Sequence, residues 1–412
     1  MEYQDFNGKM IESFLEKFKK LNKELPSQEI IKAFYKVPRH FFTPFLYEEK
    51  DGSLRKRMFN YKQMQENQLK QVYIDTPIVV LVEDDKVIAT SSQPFVMAMM
   101  LMDAKVKEGA KVLEIGTGSG YNAAILAEIV KDAKKIVSTE IKTDVANLAK
   151  DSLKRAGYEN IKVIAEDGGK GFNEEAPYDS IIITCGAPEI PMHEQVSDKG
   201  TISLPLVTHG IETLCSLTKE NDKVFRGYLN IYVRFLHFDG IYSDRKQFAK
   251  SISSLQRVIE NYGKKRDDLK QNLTDLFVED SDSEEEKNRK RKAHADFQFF
   301  LAISEEDAIL YQSKIANREA GYALWHIEAK QPNNGLVVMF NNEIVSWGNE
   351  SVSEKLLRKY EEWKGLGSPG LSNYIIEFFP SRYESLQNNP HSWIVPRKIG
   401  VTRFSLKGGV NA

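Results

Sequence analysis

The chain has 412 residues, 41% hydrophobic and 28% charged, which at about 150 residues per domain gives two to three domains with real cores. Lys plus Arg totals 57 against 59 Asp plus Glu, a formal net charge of −2, which argues against a general nucleic-acid binder but leaves room for a local basic groove. Two cysteines, Cys185 and Cys215, cannot build a disulfide framework and point to a reducing, cytoplasmic setting. The longest strongly apolar run, Phe95 to Met102, is too short to cross a bilayer, so no membrane partner is expected. The first twenty residues carry early acids and no apolar stretch, so no secretory signal is expected.

In chain order, Ile11, Phe14, Leu15, Phe18 and Leu21 share one helical face. Pro26 and Ser27 end that helix and open a second through Ile30, Ile31 and Phe34, with Ser27 as its N-cap. Residues 48–71 are polar without a firm period and read as an insertion or a mobile helix over a site. From 73 to 235, short apolar runs alternate with helical stretches. The runs are 77–82, 112–115, 136–139, 161–164, 180–184 and 201–205, and the helices 94–102, 121–130, 144–156 and 191–196. Such alternation predicts a parallel sheet with helices on both faces, and Ile181, Ile182 and Ile183 a central strand.

Beyond 245 the composition shifts. Residues 246–277 read as a polar helix, and 279–292, EDSDSEEEKNRKRK, as a solvated charged linker or, in the alternative, a contact strip for a charged peptide. A strand is expected at 297–303, then a helix opened by Ser304, Glu305 and Glu306. Strands follow at 322–328 and 335–340, with Asn341-Asn342 turning the chain into 344–347. A helix over 352–363 and a strand over 374–379 complete the pattern. The expected divisions are N-terminal helices with a polar insertion (1–72), an α/β core (73–245), a helix and charged linker (246–295) and a smaller α+β domain (296–412).

The segment LEIGTGSGYNAAILAEI, 113–129, carries the chemistry. A strand ends at Ile115, Gly116, Gly118 and Gly120 make a tight turn, and a helix starts at Tyr121. Glycines there let backbone N–H groups approach a ligand. The spacing is GxGxG rather than the GxGxxG of a dinucleotide site, which disfavours an NAD-binding enzyme. Glu114 just before the loop suits the cationic amino end of a methionine moiety better than a pyrophosphate. Glu140, at the tip of the next strand, can take both hydroxyls of a ribose. Glu166-Asp167-Gly168, after the third strand, places a carboxylate that can meet an adenine amino group. Together these describe a pocket for S-adenosyl-L-methionine, against the alternative of ordinary loops with solvated acids. The seven histidines, at 40, 193, 209, 237, 294, 326 and 391, never fall at ligand spacing, so no metal site is expected. Cys185, just past a strand end, reads as a small buried residue.

SSQPFVMAMML (91–101), LEIGTGSGYNAAILAEI, EDGGKG (166–171) and APYDSIIITCGAPEIP (176–191) together resemble the protein-L-isoaspartate O-methyltransferases. VPRHFFTP (37–44), YIDTPI (73–78) and QVSDKGTISLPL (195–206) extend the likeness over about 28–240, with Asp198-Lys199-Gly200 replacing a usual glycine pair. The resemblance implies a Rossmann-like class I methyltransferase that esterifies a peptide carboxylate and releases S-adenosyl-L-homocysteine. It places the family's motif serine on Ser92, beside cofactor and substrate carboxylate, with Ser91 one step away and a helix N-cap as the structural alternative. It adds Ser91, Ser92, Thr117, Tyr121 and Ile141 to the cofactor set of Glu114, Gly116, Gly118, Gly120, Glu140, Asp167 and Gly168.

The chain is about twice the length of a single-domain repair enzyme. Its SSQP…LEIGTGSGYNAA wording resembles an extended subgroup serving ribosomally made peptides such as lanthipeptides and graspetides. That resemblance implies a modified precursor peptide as partner, taken to aspartimide or isoaspartate. The extra domain and residues 48–71 are then the expected places for peptide recognition. The alternatives are a general isoaspartate repair enzyme and a non-catalytic cofactor-binding scaffold.

Overall fold

The computed structural model describes residues 3–50, 53–58, 60–243, 264–265, 268–311, 321–326, 335–341, 343–381, 386 and 390–408. The chain divides into two compact units, one of Met1–Pro205, Leu214–Phe225 and Arg234–Ser243, the other of Leu206–Thr213, Arg226–Val233 and Asp244–Ala412.

The first unit opens with α1 (Tyr3–Lys20) and α2 (Gln28–Lys36). Phe6, Met10, Ile11, Phe14 and Phe18 form the buried stripe of α1. Phe14 meets Phe34 of α2, and Phe18 meets Phe95, at ring separations of 5.1 and 4.8 Å. Ser27 caps α2, its Oγ accepting the N–H of Ile30. Next come the hairpin β1 (Phe45–Lys50) and β2 (Ser53–Met58), helix α3 (Glu66–Val72), and the hairpin β3 (Ile78–Glu83) and β4 (Lys86–Ser91). Residues 48–71 thus hold part of a hairpin and a short helix rather than an aperiodic insertion. The charged sequences of the two strands give no alternating apolar pattern to announce them.

Helix α4 (Pro94–Asp103) is buried on every side from Pro94 to Leu101, as its unbroken apolar run requires. The core then alternates β5 (Val112–Ile115), α5 (Tyr121–Val130), β6 (Ile136–Thr139), α6 (Thr143–Ala156), β7 (Lys162–Ile164) and β8 (Tyr178–Ile183). Three long strands follow, β9 (Val196–Thr208), β10 (Ile211–Asn221) and β11 (Val224–Tyr232). Strand order in this unit is β10-β9-β8-β5-β6-β7, with β9, β8, β5, β6 and β7 mutually parallel. Ile181, Ile182 and Ile183 are fully buried in β8, as a central parallel strand demands. The helix expected at 191–196 shrinks to a 3₁₀ turn, His193–Gln195, because Met192 takes a left-handed conformation. The strand expected at 201–205 is longer, and β4, β10 and β11 carry no distinct apolar run to announce them.

In the second unit, β12 (Lys264–Lys265), β13 (Ala308–Tyr311), β14 (Gly321–His326), β15 (Gly335–Met339) and β16 (Ile344–Gly348) form a sheet ordered β12-β16-β15-β14-β13. Helix α7 (Glu284–Ser304) and helix α8 (Ser351–Gly365) accompany it. Strands β17 (Tyr374–Phe379), β18 (Ser392–Arg397) and β19 (Gly400–Leu406) form an antiparallel set ordered β18-β19-β17. The turn predicted at 341–342 joins β15 to β16, with Met339 opposite Ile344; Asn342 lies outside the described residues. Most of the polar helix predicted over 246–277 also lies outside them, and Asp268–Leu276 is 3₁₀.

Two expectations fail at α7. Residues 297–303 are not a strand but its last turns, and Ser304 ends that helix instead of opening another. A run buried as densely as Phe297, Phe299, Phe300, Leu301, Ala302 and Ile303 has no period that separates strand from helix. The charged run is the start of the same helix. Ser283 Oγ accepts the N–H of Glu286, and acids fill the first turn. Lys290 is buried on Asp282, and Arg289 pairs with Glu286 three residues back.

Glu377 of β17 is buried, with Arg226 on one carboxylate oxygen at 2.8 Å and Arg403 on the other at 2.6 Å. Glu377→Ala removes the buried anion that both guanidinium groups contact. It should lower the unfolding free energy by about 2–4 kcal/mol in urea titration, whereas replacing an isolated surface acid costs about 0–1 kcal/mol.

Candidate active site

The C-terminal ends of β5, β6 and β7 meet the end of β4. After β5, the N–H groups of Gly116 and Thr117 both donate to the carbonyl of Thr139, at 2.8 and 3.1 Å. Thr184 pins the other side, its hydroxyl donating to the carbonyls of Ile115 and Gly116 at 2.9 and 2.7 Å. Gly116 has φ of 93°, and a Cβ there would collide with Thr184 Oγ1. Gly118 has φ of 55°, and a Cβ there would stand 2.9 Å from the carbonyl of Thr90. The second contact brings the end of β4, and hence Ser91 and Ser92, against the glycine loop.

Glu140 follows β6. Its Oε2 accepts the N–H of Gly118 and its Oε1 the N–H of Lys142, both at 3.1 Å. Burial raises its pKa above the ordinary value, opposed by these backbone hydrogen bonds. Ile141 beside it is 38% exposed, a large apolar side chain left at the surface. Asp167 follows β7, with Oδ1 accepting the N–H of Gly169 and Oδ2 that of Ile241, each at 2.8 Å. Gly168 packs so closely on Ile115 and Thr139 that no larger residue fits without a shift.

Two predicted ligand residues lie elsewhere. Glu114 is fully buried beneath the loop instead of facing a cationic ligand group. Its Oε1 accepts from Asn122 at 2.8 Å and its Oε2 from Ser138 at 2.5 Å, while Ser138 also bonds Thr117 at 2.6 Å. Tyr121 turns its ring into the core against Phe34 and Phe42, at 6.2 and 5.5 Å. Its backbone N–H, held by Ser119 Oγ at 3.3 Å, is the part that stays with the loop.

Ser92 is half-buried, while Ser91 is 2% exposed with a hydroxyl lacking any partner. Ser92 does not cap α4. The N-cap position is Gln93, and Asp75 supplies the cap from a separate segment, its Oδ1 accepting the N–H of Phe95 at 2.8 Å. Asp75, Asn122 and Thr184 lie within the segments that carry the family likeness but had no role assigned there, and Ser138 and Thr139 lie outside those segments, because each acts through a contact distant in sequence or through a common residue type. His40 is held by Tyr73 Oη at 2.6 Å, and burial pushes its pKa down to about 4, which keeps it neutral.

The profile of the family described as Protein-L-isoaspartate(D-aspartate) O-methyltransferase matches residues 11–240. Protein-L-isoaspartate O-methyltransferase 2 of Archaeoglobus fulgidus is 35% identical over 218 residues, which is 52% of this chain and 87% of that protein. The protein-L-isoaspartate O-methyltransferase of Pyrococcus horikoshii is 36% identical over 201 residues, 48% of this chain and 79% of that one. A solved protein-L-isoaspartate O-methyltransferase aligns over 89% of this chain and 96% of its own, with a TM-score of 0.49 and 22% identity.

Fold and site together define a Rossmann-like methyltransferase. Within that class the chain belongs to the protein-L-isoaspartate O-methyltransferase family, whose members use S-adenosyl-L-methionine. Among the described residues no helix is long and apolar enough to cross a membrane.

Glu114 gives the site a pH signature. Burial raises its pKa to about 7, outweighing the hydrogen bonds from Ser138 and Asn122 that favour the ion. An acid with a raised folded pKa stabilises fully below its ordinary value of 4.5 and loses that contribution as pH rises through about 7. Urea melts of the wild type should therefore show a loss of up to about 3 kcal/mol between about pH 5 and about pH 8. Glu114→Gln, neutral throughout, should lack that component.

Proposed function

We propose that the chain methyl-esterifies an aspartyl or isoaspartyl carboxylate of a peptide, and that this peptide is a ribosomally made precursor. The observation that carries the reading is the convergence at Gly118, whose N–H meets Glu140 and whose Cα abuts the strand leading to Ser92. The acids fit the nucleoside part of S-adenosyl-L-methionine. Each oxygen of Glu140 takes a backbone N–H and retains acceptor capacity for a ribose hydroxyl. Asp167 likewise retains capacity for an exocyclic amino group. Gly116, Thr117, Gly118, Gly120 and Gly168 give close backbone approach, Ile141 an apolar wall, Glu114 and Tyr121 the floor.

Bound there, S-adenosyl-L-methionine supplies a methyl group on a cationic sulfonium. The acceptor carboxylate, with a pKa near 4, is already ionised at neutral pH, so the protein needs no strong base. Its task is alignment in a site that excludes water. In this reading the Ser92 hydroxyl donates a hydrogen bond to the peptide carboxylate, which stays ionised, and fixes its direction. The resulting methyl ester offers methoxide, a better leaving group than the oxide of the free carboxylate. The following backbone nitrogen can then attack the ester carbonyl, losing its proton and expelling methanol, and the succinimide so formed is opened by water to aspartyl or isoaspartyl.

Two features support a precursor peptide. The SSQP segment resembles the peptide-tailoring subgroup, and the second unit lies largely beyond the 11–240 match. General isoaspartate repair is the second reading, favoured by the two archaeal relatives at 35% and 36% identity. Radiolabelled methyl transfer to a short isoaspartyl peptide, and to any small peptide encoded beside the gene, separates them. The precursor should be the better substrate; strong turnover of the isoaspartyl peptide alone establishes repair instead.

The site assignments have their own readouts. Glu140→Ala should weaken S-adenosyl-L-homocysteine binding about 10–100-fold in calorimetry, since two charge-assisted hydrogen bonds go with it. Ser92→Ala should lower kcat about 10–100-fold with cofactor affinity within about twofold, the loss expected of an orienting hydrogen bond. A wild-type protein that does not bind S-adenosyl-L-homocysteine would end the reading.

A further inference from the structure

We propose that Arg39, together with Asp75, is the positioning element for Ser92, an inference that rests on the role given to Ser92 above. Arg39 has no exposed surface, yet among the described residues its hydrogen bonds include no carboxylate. Nη1 donates to the carbonyls of Val72 and Ile74 at 3.1 and 2.6 Å. Nη2 donates to those of Thr76, Ser92 and Ser91 at 2.9, 3.1 and 3.4 Å. Burial lowers its pKa to about 10, so it keeps its charge at neutral pH.

These acceptors come from two segments. One enters β3, the other leaves β4, and Ile78 pairs with Ser91 where the two strands meet. The guanidinium therefore ties the open end of the β3–β4 hairpin, where Ser92 stands. Asp75, in the middle of the first segment, holds the far side. It accepts the N–H of Phe95 at 2.8 Å and the Gln93 side chain at 3.3 Å, and it pairs with Lys17 at 2.6 Å. Ser92 is thus fixed through its own carbonyl by Arg39 and through the residues after it by Asp75. The guanidinium also stands 5.7 Å from the ring centre of Tyr121, the first residue of the helix that follows the glycine loop. A buried charge is costly, and an apolar side chain would serve packing better if packing were the whole purpose. A planar fork reaching both segments is a geometry that lysine cannot reproduce.

The test is a double-mutant cycle on the full chain. Arg39→Lys and Asp75→Asn are each made alone and with Ser92→Ala. Methyl transfer, S-adenosyl-L-homocysteine affinity and thermal melting are measured for every variant. Each single change should lower kcat about 10–100-fold, the cost of a small misplacement, with cofactor Kd within about twofold. In the Ser92→Ala background neither should lower kcat by more than about twofold, because the group they position is gone. A loss that multiplies onto Ser92→Ala, or a folded Arg39→Lys enzyme with unchanged kcat, overturns the proposal. If Arg39→Lys does not fold, Asp75→Asn carries the same cycle. Wild-type protein without methyl transfer would instead refute the catalytic reading beneath it.

Discussion

The exit of β6 is the constraint on which the site depends. Because β5 lies beside β6 in parallel register, with Ile115 opposite Thr139, the two strands end at one level. The Thr139 carbonyl has no further strand residue to serve, and it takes the N–H groups of Gly116 and Thr117. The next residue, Glu140, takes that of Gly118. The glycine loop is thus built onto the end of its neighbour strand, and its shape follows from sheet register. Gly116 and Gly118 follow in turn, since left-handed backbone and close approach to Thr184 and Thr90 leave no room for a side chain. Open parallel sheets bind ligands at this edge for the same reason: strand ends leave backbone groups to satisfy.

Two buried charges flank that edge and are accommodated in opposite ways. Glu114 meets Ser138 and Asn122, neutral donors that do not compensate its burial, so it titrates near neutrality. Arg39 cannot shed its proton at physiological pH and is compensated by carbonyl dipoles from two segments. The first arrangement makes the floor of the loop sensitive to pH. The second is indifferent to pH and rigid, which suits a group that holds the hairpin carrying Ser91 and Ser92.

What the sequence disclosed is what local geometry imposes. A strand, three glycines and a helix within 113–129 can be read directly, because each glycine answers a requirement of its own few residues. Glu140 and Asp167 could be read as strand-tip acids once the alternation of β5 to β7 was recognised. Arg39 and Asp75 stand in segments that carry the family likeness, but their roles could not be read there, since their bonds reach 18 to 58 residues along the chain and follow from tertiary packing. Glu114 was located correctly but turned the wrong way, because adjacency to a loop does not say which face of β5 a side chain takes. The charged run 279–292 reads as a linker because blocks of opposite charge usually mark one. Here a serine cap, acids in the first turn and bases in the next are the ordinary electrostatics of a helix.

A methyl-transferring site of this kind has little to do beyond alignment, and that bears on where selectivity arises. On the proposed reading, an ionised carboxylate meets a cationic methyl donor, and no side chain must gain or lose a proton. His40 is buried and His193 half-buried, and burial lowers the pKa of both. A site that, on the same reading, holds the cofactor with backbone N–H groups, two strand-tip acids and a serine hydroxyl carries few groups that could distinguish one peptide carboxylate from another. Discrimination among peptides must then come from surface outside this cluster. The chain has such surface to offer, since the family match ends at residue 240 and much of the folded second unit lies beyond it.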